Sequence, residues 1–88
     1  MSSVRLRGLR GAITVSENSK EEIIAATRIL LEEMVRVNEV EVAEIASCIF
    51  SVTPDLNAEF PAMGARQMGW QHTPLLCTNE VNVEGALP

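Results

Sequence analysis

One segment narrows the possible folds more than any other. Residues 19–38 carry the marks of a single long amphipathic helix, of about four to five turns, in a chain of 88 residues. Ser19 is followed three positions later by Glu22, the spacing of a capping box, and Glu21 adds a second carboxylate to the first turn. Ile23, Ile24, Thr27, Leu30, Leu31 and Met34 then recur at helical spacing and form one stripe. Glu32 and Arg36 stand four apart in the favourable order, and Asn38 is the expected stop. A helix with one apolar stripe cannot bury that stripe against itself. The remaining chain must supply a sheet to cover it.

Three segments read as strands. Residues 4–15 alternate, but Val4 and Leu6 fall out of phase with Leu9, Ile13 and Val15. One extra residue near Gly8, a bulge, would bring all five to the core face and put Arg5, Arg7 and Arg10 on the other. Residues 45–53 are rich in β-favouring side chains and end at Pro54. Residues 70–80 form the third strand, near an edge or a bulge because of Pro74, and Val81 and Val83 continue an alternation. Residues 40–47 are ambiguous between a short helical turn and the approach to a strand. Between the last two strands, residues 55–68 suit a short helix, with Pro61 in its first turn and Gly69 beyond its end. The expected architecture is α+β, a mixed sheet with one long helix packed on it, in a single domain over residues 1–88.

Composition then limits what such a domain can do. Hydrophobic residues make up 47% and charged ones 22%, as in globular proteins. The aromatics are Phe50, Phe60 and Trp70, with no tyrosine, so the core is aliphatic and thin for a monomer. Self-association would remedy that and would cover exposed sheet edges. The net charge of -5 argues against a general nucleic-acid binder, although Arg5, Arg7 and Arg10 are the cations such binding would use. No apolar run approaches the roughly 20 residues of a membrane span, and no export signal opens the chain. Cys48 and Cys77 lack metal-ligand spacing and read as reduced thiols. A cytoplasmic protein with neither metal nor cofactor is expected.

No nucleophile–base set, phosphate loop or dinucleotide fingerprint is present. Three polar stretches remain. Arg10 lies beside Gly8 and Gly11, where a ligand can approach the backbone. Phe60, Pro61, Ala62 and Arg66 offer an aromatic wall and a cation. Leu76, Cys77, Thr78, Asn79 and Glu80 bring a thiol, an amide and a carboxylate to a strand end. Together they suit a small organic anion in a cleft. Taken singly, Arg10 is a solvated arginine, Cys77 a small buried hydrophobe, and Cys48, Trp70 and His72 are packing residues.

The order of these stretches carries a resemblance. RGLRGAITV at 7–15, TPDLNAEFPA at 53–62 with Arg66, GWQ at 69–71 and PLLCTNE at 74–80 resemble the monofunctional chorismate mutases of the trimeric α/β-barrel class. The capped helix falls between the first two stretches, and the likeness spans essentially the whole chain.

The resemblance implies a homotrimer with active sites in clefts between subunits. It also implies rearrangement of chorismate to prephenate, in the shikimate pathway to phenylalanine and tyrosine. A pericyclic reaction needs no nucleophile or base, only positioning and stabilisation of developing charge. By the same resemblance, Arg10 binds a substrate carboxylate. Glu80 and Cys77 hold the ring hydroxyl, and Glu80 faces positive character developing on the ring. The backbone from Leu76 through Thr78 and Asn79 to Glu80 lines the pocket, while Phe60, Ala62 and Arg66 belong to the facing subunit's wall. Met63 is a departure, at a place near the pocket mouth where a family member can carry charge. Family chains also continue past the position of Pro88 into two more strands, with an arginine facing the ether oxygen and a tyrosine on a carboxylate. Losing one such donor costs about a hundred- to a thousandfold in rate. These 88 residues alone are therefore expected to be a weak mutase, and the alternative is an impaired trimer that binds an anionic metabolite.

Overall fold

The computed structural model describes residues 8–80. The expectations for residues 4–7 and for Val81 and Val83 fall outside them.

Helix α1 spans Lys20–Asn38. Ser19 is its N-cap, its hydroxyl accepting the Glu22 N–H at 3.2 Å, which stabilises the helix by about 1 kcal/mol. Only half of the capping box forms. The Glu22 carboxylate accepts the Ser16 hydroxyl instead, and the Ser19 N–H bonds the Glu17 carbonyl. The stripe is as expected and wider: Ile23, Ala26, Thr27 and Leu31 are buried, with Ile24, Leu30, Met34 and Val35 half-buried. Thr27 satisfies its buried hydroxyl on the Ile23 carbonyl at 2.7 Å. The ion pairing differs from expectation. Arg36 pairs with Glu33 at 2.6 Å, and Glu32 takes Arg28 at 4.0 Å. Asn38 is the last helical residue, and Glu39 turns the chain in the left-handed region with φ 52°.

A 3₁₀ turn at Val42–Glu44 resolves the ambiguous stretch, and strand β1 follows at Cys48–Val52. Helix α2, Ala62–Gln67, is shorter than residues 55–68, because 53–61 form a loop that opens with a turn from the Thr53 carbonyl to the Leu56 N–H. Gly69 ends α2 with φ +93°, a conformation suited to glycine, while the Trp70 N–H closes back onto the Ala65 carbonyl. Strand β2 is Leu75–Asn79. Residues 70–74 are not strand, since Trp70 and Thr73 turn inward and are buried.

β1 and β2 pair in parallel, Cys48 opposite Leu75 through to Val52 opposite Asn79, with α2 in the crossover between them. The sheet among the described residues is therefore two-stranded and parallel rather than mixed. Residues 8–15 form no strand. Leu9 and Ile13 are exposed rather than in a core, and Gly11 lies so close to α1 that a Cβ there would meet Met34 Sδ at 2.8 Å and Leu30 Cδ1 at 3.0 Å.

The core lies between α1, α2 and one face of the sheet. Leu31, Ala65 and Trp70 are its centre, and Val35, Cys48, Phe50, Met68 and Leu75 pack around them. Where the helices meet, a Cβ on Gly64 would sit 2.8 Å from Thr27 Cβ and 3.2 Å from the Ile24 carbonyl. No described helix is long and apolar enough to cross a membrane.

Candidate functional site

Three places in the fold hold the candidate residues. Arg10 is exposed in the irregular segment that crosses α1. Phe60, Ala62 and Arg66 surround the start of α2. Leu76 to Glu80 run along β2 and one residue past its end. Among the described residues, no hydrogen bond or ion pair joins one group to another.

Alternation along β2 sorts the last group. Leu75 and Cys77 are half-buried on the helix side, while Leu76 and Thr78 point to the open face. The main chain is sorted as well. The Pro74 carbonyl accepts from Cys48 N–H and the Glu80 N–H donates to the Val52 carbonyl, at 2.9 and 2.8 Å. In a parallel ladder these two bonds fix the parity: even-numbered residues of this stretch bond β1, and the N–H and C=O groups of Leu75, Cys77 and Asn79 face the opposite edge. That edge pairs with no strand among the described residues. Thr78 adds a hydroxyl bond to the Phe50 carbonyl at 3.3 Å.

The α2 group is part wall and part brace. The Phe60 ring is 68% exposed, although its N–H bonds the Glu59 carboxylate at 2.8 Å. Ala62 is half-buried at the first turn of α2. Arg66 gives one guanidinium N–H to the Trp70 carbonyl, and its own carbonyl accepts from the Gln71 side chain at 2.8 Å. Four further N–H groups of that guanidinium remain to be accounted for.

Sequence reasoning missed Asn18. Its side-chain oxygen accepts the N–H groups of Asn57 and Ala58, both at 3.0 Å, and its amide donates to Asn57 Oδ1 at 2.8 Å. Partners 39 and 40 positions away leave no local signature in the sequence.

Burial raises the Cys48 thiol above its ordinary range, with the neighbouring Cys77 adding a smaller push in the same direction. Both thiols are free. No three His, Cys, Asp or Glu side chains cluster to hold a metal among the described residues. A hollow of about 290 Å³ is lined by Val42, Ala43 and Ile45 together with residues 69–73, and no candidate residue lines it. Arg10, Phe60, Leu76, Thr78, Asn79 and Glu80 are exposed, while Ala62, Arg66 and Cys77 are half-buried.

Comparison with known proteins gives these positions a context. The family model described as chorismate mutase type I matches residues 6–88. A protein of Thermus thermophilus named chorismate mutase AroH is 50% identical over 84 residues, covering 94% of this chain and 69% of its own length. The Bacillus subtilis protein of the same name is 41% identical over 83 residues, covering 93% and 65% respectively. A solved chorismate mutase from Clostridium thermocellum superposes with a TM-score of 0.77 at 51% identity, over 84% of this chain and 66% of that one. The chain thus spans about two thirds of the length of these relatives. With a family model matching nearly every residue and relatives at 41–50% identity, the chain belongs to the type I chorismate mutase family.

Proposed function

We propose that the chain is a chorismate mutase subunit which isomerises chorismate to prephenate in aromatic amino-acid biosynthesis, in the cytoplasm, as a homotrimer with its sites between subunits. The observation that carries the reading is the single family match over residues 6–88, which takes in every candidate residue. The placement of the candidate residues on three separate parts of the fold, most of them exposed, supports a shared site. So does the open sheet face, where Ile49 and Leu76 lie opposite each other in register at 65% and 56% exposure. Adjacent large apolar side chains of that kind are what a subunit contact covers.

In this reading an ether C–O bond breaks while a C–C bond forms, and no proton need move. The protein contributes geometry and fixed charge. Arg10 binds a carboxylate of the substrate. Glu80 accepts the ring hydroxyl and faces the positive character that develops on the ring. Cys77 and Asn79 present main-chain groups on the edge of β2 that pairs with no strand among the described residues, the Cys77 side chain being turned toward the helices, and Leu76 and Thr78 add side chains on the open face. Phe60, Ala62 and the remaining N–H groups of Arg66 close the cleft from the neighbouring subunit.

The test is loss of chorismate absorbance in the wild type, in Arg10→Ala and in Glu80→Ala, with sedimentation run on each. Saturable turnover in the wild type is expected, falling about a hundredfold or more in each variant with the assembly unchanged. Near-wild-type turnover in either variant would overturn that residue's role. A wild type that binds prephenate without turning over chorismate would favour the second reading, a trimer that binds an anionic metabolite.

A further inference from the structure

The loop at residues 53–61 carries Phe60, which is left largely exposed. Its position depends on what fixes its main chain. The turn at Thr53–Leu56 sets the beginning, and the Phe60 carbonyl accepts the Met63 N–H at 3.0 Å at the far end. Between them, the loop's side-chain tie to the rest of the fold runs to the start of α1. The oxygen of Asn18 receives two consecutive main-chain N–H groups, from Asn57 and Ala58, and its amide engages the Asn57 side chain. Two main-chain donors on one atom also identify that atom as the oxygen. Lys20 stands 3.8 Å from Glu59, but its side chain is 60% exposed, and pairs of that kind contribute little. Glu59 in turn accepts the Phe60 N–H. The tie therefore runs from Asn18 through Asn57 and Ala58 to Glu59 and Phe60.

We infer that Asn18 is a positioning residue for the Phe60 wall: it locks the 53–61 loop onto the start of α1 and so sets the affinity of the site for its anionic ring substrate. The inference rests on the proposed mutase reading. Asn18 does not carry the cap of α1, because Ser19 does, so the helix survives its replacement. Its effect falls on substrate held alike in the ground and transition states, which raises KM and leaves kcat alone.

Asn18→Ala and Asn18→Asp in the full chain separate the outcomes. Aspartate keeps an acceptor for both N–H groups, with the Asn57 amide turned to donate to its second oxygen in place of the lost Asn18 N–H, whereas alanine removes it. In the alanine variant, KM for chorismate should rise about five- to tenfold with kcat within about twofold, and the Asn57 and Ala58 amides should exchange hydrogen about tenfold faster. Aspartate should return both readouts to within about twofold of wild type. An unchanged KM in Asn18→Ala, with the wild type active, overturns this inference alone, as does unchanged exchange at the two amides. An equal loss in the aspartate variant overturns it too. A wild type that neither turns over chorismate nor binds prephenate removes the mutase reading and this inference with it.

Discussion

The two faces of the β1–β2 sheet are built from alternate residues of the same ten, yet they end in opposite states. On the helix side, Cys48, Phe50 and Leu75 pack against Leu31, Ala65 and Trp70, and the apolar surface there is largely withdrawn from water. On the other side, Ile49 and Leu76 stand paired and exposed. Period-two alternation makes one face apolar when a sheet is half-buried. Here both faces are apolar at their centre, the pattern of strands covered twice. One face is completed within the chain; completion of the other is where the proposed trimer and its site belong.

The largest expected effect separates the faces directly. Trp70→Ala empties the centre of the covered face, where the side chain is 5% exposed, and should cost about 3–5 kcal/mol in urea denaturation. That is a large part of the stability available to a small domain. Ile49→Lys places a charge on the open face, and an isolated chain should tolerate it within about 0.5 kcal/mol. In an assembly that buries the position, the same lysine should dissociate the subunits, read by sedimentation equilibrium. An oligomer unaffected by Ile49→Lys would mean that the open face is not the contact.

A second, smaller effect tests how tightly the helix layer is built. Gly64→Ala brings a Cβ within 2.8 Å of Thr27 and close to the Ile24 carbonyl, a main-chain atom that cannot swing aside. Overpacking of this kind costs typically about 1–3 kcal/mol. Gly11→Ala meets the ends of Met34 and Leu30 instead, which are flexible, and should cost less than Gly64→Ala in the same denaturation series. If the two variants were equally destabilised, the segment at 8–15 would be as firmly seated on α1 as the helices are on each other.

The difference between the two glycines also explains what could be read from the sequence. The cap at Ser19, the stripe of α1, the strand before Pro54 and the glycine stop at Gly69 are local signals, settled by residues within a few positions of one another. The 8–15 segment is another matter. Its alternation marks a surface suited to pleating, but a strand exists only with a ladder partner, and β1 and β2 supply none to it among the described residues. Arg36 chose Glu33 over Glu32 because both spacings lie on one helix face and rotamers decide between them. For the site, the residue types and their order along the chain were legible. Which ones share an edge of β2, and the Asn18 tie to the 53–61 loop, depend on contacts between distant positions.

The smallest expected effect comes from the covered face and is a matter of sign. Burial raises the Cys48 thiol in the folded chain, so the folded state holds its proton at a pH where the unfolded chain has begun to release it. In that window the folded state binds more protons, and stability falls as pH rises. The contribution is complete below the ordinary thiol value of about 8.5 and is lost as pH rises through the folded value. The window is unusually clean. The chain has no tyrosine to overlap it. Cys48→Ala should therefore flatten the decline of stability above about pH 8, measured by urea denaturation at intervals of pH upward from neutrality. An equally steep decline in the variant would mean that Cys48 is not the source of the alkaline loss, and would place its side chain closer to water than the packing of the covered face implies.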